Sequence, residues 1–379
     1  MIFFFQKNIK KHPLFWMVGA WLLVLLLIGI FSQNLSSYSG LRTCYSRLYS
    51  PYYRWDSSWY TQIAQKGYSF STEKNSSIAY WPLYPATIKF FHALNFTSFA
   101  QSGPILSIAY AIGAFLMLYK LVLIDYSKKT SLYILAVVML FPPAYFFVSG
   151  YPESLFLLLV VLSFYFARKQ RWLLAGIFSA LLSLVKPYGI LMMPALLFEY
   201  VIANDWDWKI FFKKISWTAL LLPLATFGSF VLYNYLKFNN ALAFLATQKS
   251  WGRSLGNPIS NLLAEAKDYV TPPAKLLTGY GFPYVIYVAS FFFFLWAMYI
   301  SWSRVRKSYL LFTFLVMLAA FLTGTLTSWD RYMMTSLASL IGVGVYFSEK
   351  KYWNWAYLIA SGILFLSLAS LFVRCFPVE

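Results

Sequence analysis

Apolar residues fall in long runs along this chain, punctuated by short clusters of lysine, arginine, proline and glycine. The runs cover residues 14–32, 100–124, 131–148, 153–167, 172–185, 190–203, 216–236, 281–300, 309–326, 332–347 and 353–372. A helix of about 20 apolar residues crosses the ~30 Å hydrocarbon core of a bilayer. Backbone in lipid must satisfy its own hydrogen bonds, which favours helices. The pattern predicts an all-α polytopic membrane protein with about eleven transmembrane helices, built as one integral membrane domain over residues 1–379. Two polar, aromatic stretches, 33–99 and 237–278, are expected as long outer loops, the first carrying interfacial helices. Four of the runs are short, and Pro142, Pro143, Gly150 and Pro152 break one pair of them while Lys186-Pro187-Tyr188-Gly189 breaks the other. Reading 131–167 and 172–203 as hairpins keeps the basic clusters inside, as orientation by positive charge favours. One long kinked span for each pair is the alternative.

Composition agrees with the pattern. The chain is 60% hydrophobic, 22% aromatic and 11% charged, with mean hydropathy +0.61. Soluble domains carry about 25% charge, so a soluble enzyme, a disordered chain and a disulfide scaffold are excluded. The net charge of +19 points to membrane orientation and anionic lipid, not to a nucleic-acid partner. Lys7, Lys10 and Lys11 place the N-terminus inside, and the first helix reads as retained, not as a cleaved signal peptide. His12 and His92 are the only histidines, which removes His-based metal and triad chemistry. Cys44 and Cys375 lie far apart in sequence; two free thiols are expected, with a disulfide between them as the alternative. P-loop, HExxH, CxxC and GxSxG motifs are missing from the sequence. Sequons at Asn34, Asn75 and Asn95 are a weak signal.

The acids expected to face outward are Asp56, Glu73, Glu153, Glu265, Asp268, Asp330 and Glu379. Asp56 sits in Tyr53-Arg54-Trp55-Asp56-Ser57-Ser58-Trp59-Tyr60. It could simply cap the helix beginning near Ser57, yet a carboxylate fixed among aromatics at a helix start is also placed to take a proton from a hydroxyl. Glu153 opens an apolar helix, where first-turn dipole complementarity competes with a functional role. Lys186, Arg253 and Arg331 combine positive charge with aromatic neighbours near helix ends, the chemistry of an anion site.

Six segments in order, RWDSSWYTQIAQKGY (54–68), YWPLYP (80–85), FPPAYFFVSGYPESLFLLL (141–159), WLLAGIFSALLSLVKPYGILMMP (172–194), AFLATQKSWGR (243–253) and RYMM (331–334), thread most of the chain. Together they resemble the PIG-V (GPI mannosyltransferase 2) family of the GT-C glycosyltransferases, in its prokaryotic form. Family members commonly have Arg-Pro where this chain has Lys186-Pro187, which keeps the charge but not a bidentate fork. The resemblance implies a polyprenyl- or dolichyl-phosphate sugar donor, usually mannose, and a glycolipid or glycan acceptor. It maps an essential acid onto Asp56 and the Glu of a Tyr-x-Glu-Ser pattern onto Glu153. The mechanism then expected is inverting transfer with Asp56 as general base. Lys186, Arg253, Arg331 and Arg54 would hold the donor phosphate, and Trp55, Trp59, Tyr60, Trp81, Tyr84, Tyr188 and Trp251 would contact sugar or lipid. No cofactor is called for, and dependence on a divalent metal stays open. A prokaryotic plasma membrane with the site on its outer face is the expected location, with an ER membrane and lumenal site as the alternative. A lipid-linked sugar transporter and a non-catalytic subunit of a glycosylation complex are the competing functions.

Overall fold

A computed structural model describes residues 12–32, 35, 51–95, 97–206, 217–253, 257–270 and 281–378. Lys7, Lys10, Lys11, Asn34 and Cys44 lie outside the described residues. Every regular element among those described is helical. The long helices are α1 (Pro13–Ser32), α4 (Phe99–Val122), α9 (Trp217–Phe238), α12 (Gly281–Ser301) and α16 (Trp353–Val373). Four of these, α1, α4, α12 from Pro283 and α16, are long and apolar enough to cross a membrane by length and composition. Between α1 and α4 lie α2 (Ser57–Lys66) and α3 (Leu83–Ala93). After α4 come α5 (Lys128–Met139), α6 (Glu153–Arg168), α7 (Trp172–Ser183) and α8 (Met192–Ala203). The short α10 (Ala243–Ala246) and α11 (Pro258–Val270) follow α9, and α13 (Lys307–Phe321), α14 (Trp329–Met333) and α15 (Leu337–Ser348) separate α12 from α16.

The boundaries have local causes. Ser98 and Gln101 form a reciprocal capping box that starts α4. The α5 ladder stops before Pro142-Pro143, where no N–H is left to continue it. Lys186 is extended (φ −152°, ψ 151°), as a residue before proline must be, and this parts α7 from the 3₁₀ turn Pro187–Leu191. α13 ends at Phe321, short of the expected 326, because Gly324 turns the chain at φ +70°. α15 correspondingly begins at Leu337, not 332, after the separate turn of α14.

α6 is central, packed mainly against α4, α7 and α8. The arms expected to form the 131–167 hairpin find other partners: α5 lies chiefly against α15, and α6 against α4. Phe146, Phe147, Tyr151, Phe156, Phe312 and Trp329 are fully buried at the centre. Leu26, Ile30, Phe292, Tyr299, Ile359 and Ile363 point outward from α1, α12 and α16, the apolar exterior that lipid tolerates. Cys375 is disulfide-bonded and no described cysteine is free, which overturns the expectation of two free thiols.

Candidate functional site

Asp56 occupies the residue before α2, yet its side chain makes no capping bond to that helix. The carboxylate turns the other way. Oδ1 accepts from the Tyr80 hydroxyl at 2.8 Å, and Oδ2 accepts from Arg331 Nη1 at 2.8 Å. The Asp56 backbone N–H donates to the Tyr151 hydroxyl at 3.1 Å. Two local features produce this pose. Trp55 is held at φ +46°, a conformation costly for an aromatic residue, and this swings the chain into α2. Gly150, at φ +65°, lets the 149–152 turn close on α2, because a Cβ there would lie 3.2 Å from Ser57 Oγ and 3.1 Å from the Pro104 ring. Ser57 Oγ donates to the Ser149 carbonyl at 2.7 Å and fixes the contact.

That turn leads directly into Glu153, at the first position of α6, where the helix dipole favours an anion. Glu153 is 1% exposed, and its Oε1 accepts from Lys186 Nζ at 2.8 Å. Arg331 Nε lies 3.8 Å from the same oxygen, while Glu153 Oε2 is buried with no hydrogen-bond partner among the described residues. Burial opposes the charge on Lys186, but Glu153 and the Tyr188 phenol together outweigh it and the amine's pKa lies above its ordinary value. Arg331 therefore stands between the two carboxylates and links Asp56, just before α2, to Glu153 of α6.

Tyr332 gathers the cations. Arg331 and Lys186 each lie 5.3 Å from its ring centroid and Arg253 lies 5.2 Å away, with Arg253 Nη2 donating to the phenol oxygen. Three cations thus face two carboxylates across one aromatic floor. Asp330, buried beside Arg331, has its carboxyl pushed up to about 6 by loss of solvent, partly opposed by the Arg331 backbone N–H and charge. Trp59 stacks on Tyr80 at 5.7 Å and meets Trp251 edge-on at 5.4 Å, so an aromatic wall rises beside Asp56. Among the described residues the indole N–H groups of Trp55 and Trp251 are buried without a hydrogen-bond partner, while the Tyr188 hydroxyl lies against Lys186.

Asp56, Glu153, Lys186, Arg253, Arg331, Trp59, Tyr188 and Trp251 therefore belong to one contiguous cluster, with Tyr60 behind it, its ring 5.0 Å from Tyr80. Three sequence candidates are engaged elsewhere. Arg54 donates to the carbonyls of Val373 and Tyr53, closing the C-terminal end of α16. Trp81 is buried among Phe227, Phe230 and Phe244. Tyr84 is fully buried and bonded to Ser107 Oγ and the Gly103 carbonyl. Tyr80, Tyr151 and Tyr332 were missed as candidates, since a tyrosine is too common in this chain for its position alone to mark it. Among the described residues no three His, Cys, Asp or Glu side chains gather.

No protein-family model matches the chain, and no curated protein matches it in sequence. Solved structures do match. The fold is similar to that of ArnT from Cupriavidus metallidurans, bound to undecaprenyl phosphate, at TM-score 0.53 and 10% identity over 91% of this chain and 62% of that one. It is matched more loosely by the oligosaccharyltransferase AglB from Archaeoglobus fulgidus, in complex with an inhibitory peptide and a dolichol-phosphate, at TM-score 0.47 and 12% identity over 96% of this chain and 56% of that one. The chain thus spans less than two thirds of either neighbour's length. The likeness is one of architecture, an all-helical fold shared with ArnT.

Proposed function

We propose that the chain is an integral membrane glycosyltransferase that moves a hexose, mannose by family resemblance, from a polyprenyl- or dolichyl-phosphate carrier to a hydroxyl of a glycolipid or glycan. The observation that carries the reading is the Asp56 carboxylate, which leaves its helix-capping role unfilled and is held between a tyrosine and an arginine. A phosphate-activated sugar needs no nucleotide. The acceptor oxygen attacks the anomeric carbon from the face opposite the phosphate, and its proton passes to Asp56. The new glycosidic C–O bond forms as the bond from the anomeric carbon to the phosphate oxygen breaks, and the electron pair leaves with the phosphate. Such in-line displacement inverts the anomeric centre, as in inverting glycosidases.

The carrier phosphate gains negative charge as it leaves, so groups that stabilise it act most strongly in the transition state. Arg253 and Lys186 flank Tyr332 and would stabilise that charge, and Arg331 reaches from the same ring to Asp56. Glu153 keeps Lys186 charged and aimed. The site lies on the non-cytoplasmic side, where a plasma-membrane enzyme meets lipid-linked sugars. The deciding experiment supplies purified protein in proteoliposomes with labelled polyprenyl-phosphate mannose and a membrane lipid extract, read by mass spectrometry. Release of polyprenyl phosphate with a new mannosylated product is expected. Movement of intact donor across the bilayer would support a transporter instead, and no change in either would support a non-catalytic subunit.

A further inference from the structure

Arg331 and Tyr332 sit on a helix of a single turn, too short to hold its own orientation. Their support comes from the segment before it. Residues 324–328, Gly-Thr-Leu-Thr-Ser, join α13 to α14 through two left-handed positions, Gly324 at φ +70° and Ser328 at φ +59°. One carboxylate from a distant element holds this turn. Glu265 of α11 accepts from Thr325 Oγ1 at 2.7 Å and Thr327 Oγ1 at 3.1 Å through Oε1, and from the Leu326 backbone N–H at 2.9 Å through Oε2. Asn261, one helical turn earlier, packs so closely on Gly324 that a Cβ there would fall 2.4 Å from its side-chain nitrogen. The hold passes onward: the Leu326 carbonyl accepts from Trp329 N–H at 2.9 Å and the Ser328 carbonyl from Tyr332 N–H at 3.1 Å.

We propose that Glu265 is a positioning residue, which fixes Arg331 and Tyr332 through the 325–328 turn so that Arg331 meets both Asp56 and the carrier phosphate. The inference rests on the glycosyltransferase reading above. Three hydrogen bonds to one carboxylate fix the turn more tightly than the single cap an isolated loop would have, and charged acceptors make the stronger bonds. Loosening the turn swings a guanidinium whose partners are 2.8 Å and 3.8 Å away, a geometry that small displacements destroy.

The test is equilibrium binding of a short-chain polyprenyl phosphate to the full-length protein in detergent. Wild type, Glu265→Ala, Arg331→Ala and the double variant are compared, with near-UV circular dichroism reporting the fold. Glu265→Ala is expected to weaken binding about tenfold, and that loss should nearly vanish in the Arg331→Ala background, because residues linked through one hydrogen-bonded turn couple. Glu265→Gln, which keeps an acceptor for the Leu326 N–H, should recover part of the affinity. If Glu265→Ala does not fold, Thr325→Val with Thr327→Val removes two of the three bonds and should weaken binding about fivefold with the same dependence on Arg331. Wild-type affinity in the folded variants, or a loss that multiplies with Arg331→Ala, overturns the inference while leaving the function intact. Failure of the wild type itself to bind polyprenyl phosphate overturns both.

Discussion

The Lys186–Glu153 pair allows the sharpest energetic test, because its two members have unequal reserves. Both are buried, with side chains 8% and 2% exposed, and they meet at 2.8 Å. At an effective dielectric of ~20, unit charges at that separation attract by about 6 kcal/mol. Desolvation costs several kcal/mol per ion, so the intact pair lies near balance, and removing one partner costs about 3–5 kcal/mol. Glu153→Gln leaves Lys186 without a counter-charge, facing a neutral amide, the Tyr188 hydroxyl and the rings of Phe156, Tyr188 and Tyr332, at 5.8, 5.7 and 5.3 Å. The full cost of about 3–5 kcal/mol is expected there. Lys186→Met leaves Glu153 beside Arg331 Nε at 3.8 Å, a second cation, so about 1–3 kcal/mol is expected. Glu153→Gln combined with Lys186→Met leaves no uncompensated charge and should recover to within about 2 kcal/mol of wild type. Unfolding in mixed micelles, followed by tryptophan fluorescence, measures all three. Equal losses in the two single variants, or losses that add in the double variant, would refute the bridging position of Arg331.

Other consequences are simpler. Asp330 has a folded pKa of about 6, raised above its ordinary value of 3.8 by burial, so its ionisation destabilises the fold as pH rises through that interval. Asp330→Asn should therefore raise stability at pH 7.5 by about 3 kcal/mol, at about 1.4 kcal/mol per pKa unit, and the gain should shrink toward nothing near pH 4; a gain independent of pH would contradict the assignment. Arg54→Met removes hydrogen bonds to the Val373 and Tyr53 carbonyls and should cost about 1–3 kcal/mol of stability with polyprenyl phosphate binding unchanged. Lost binding without lost stability would return Arg54 to the phosphate site.

The membrane class and the four long apolar helices were legible in the sequence because they depend on run length alone: 14–32, 100–124, 281–300 and 353–372 fall within two residues of α1, α4, α12 and α16. The partners of the short helices were not, because a run of a dozen apolar residues does not say which neighbour covers it; α5 settles on α15 although its chain neighbour α6 lies ready. The charged members of the cluster stood out in the sequence because a cation or acid at the edge of lipid needs a reason. Tyrosines could not: with 30 of them in the chain, nothing local separates Tyr332, ringed by three cations, from Tyr84, buried on Ser107. Arg54 shows the converse, since adjacency to Asp56 in sequence suggested a shared task while the two side chains point to different partners. Glu265 was visible only as one outer acid among several; its hold on residues 325–327 spans 60 positions and emerges from the fold alone.

The central claim is that the carboxylate of residue 56 takes the acceptor's proton, and Asp56→Asn tests it with almost no change of shape. Single-turnover transfer from polyprenyl-phosphate mannose should fall by at least about a hundredfold, the low end of what a general base contributes, while polyprenyl phosphate still binds. Transfer at the wild-type rate by a folded, membrane-inserted Asp56→Asn protein would contradict the account.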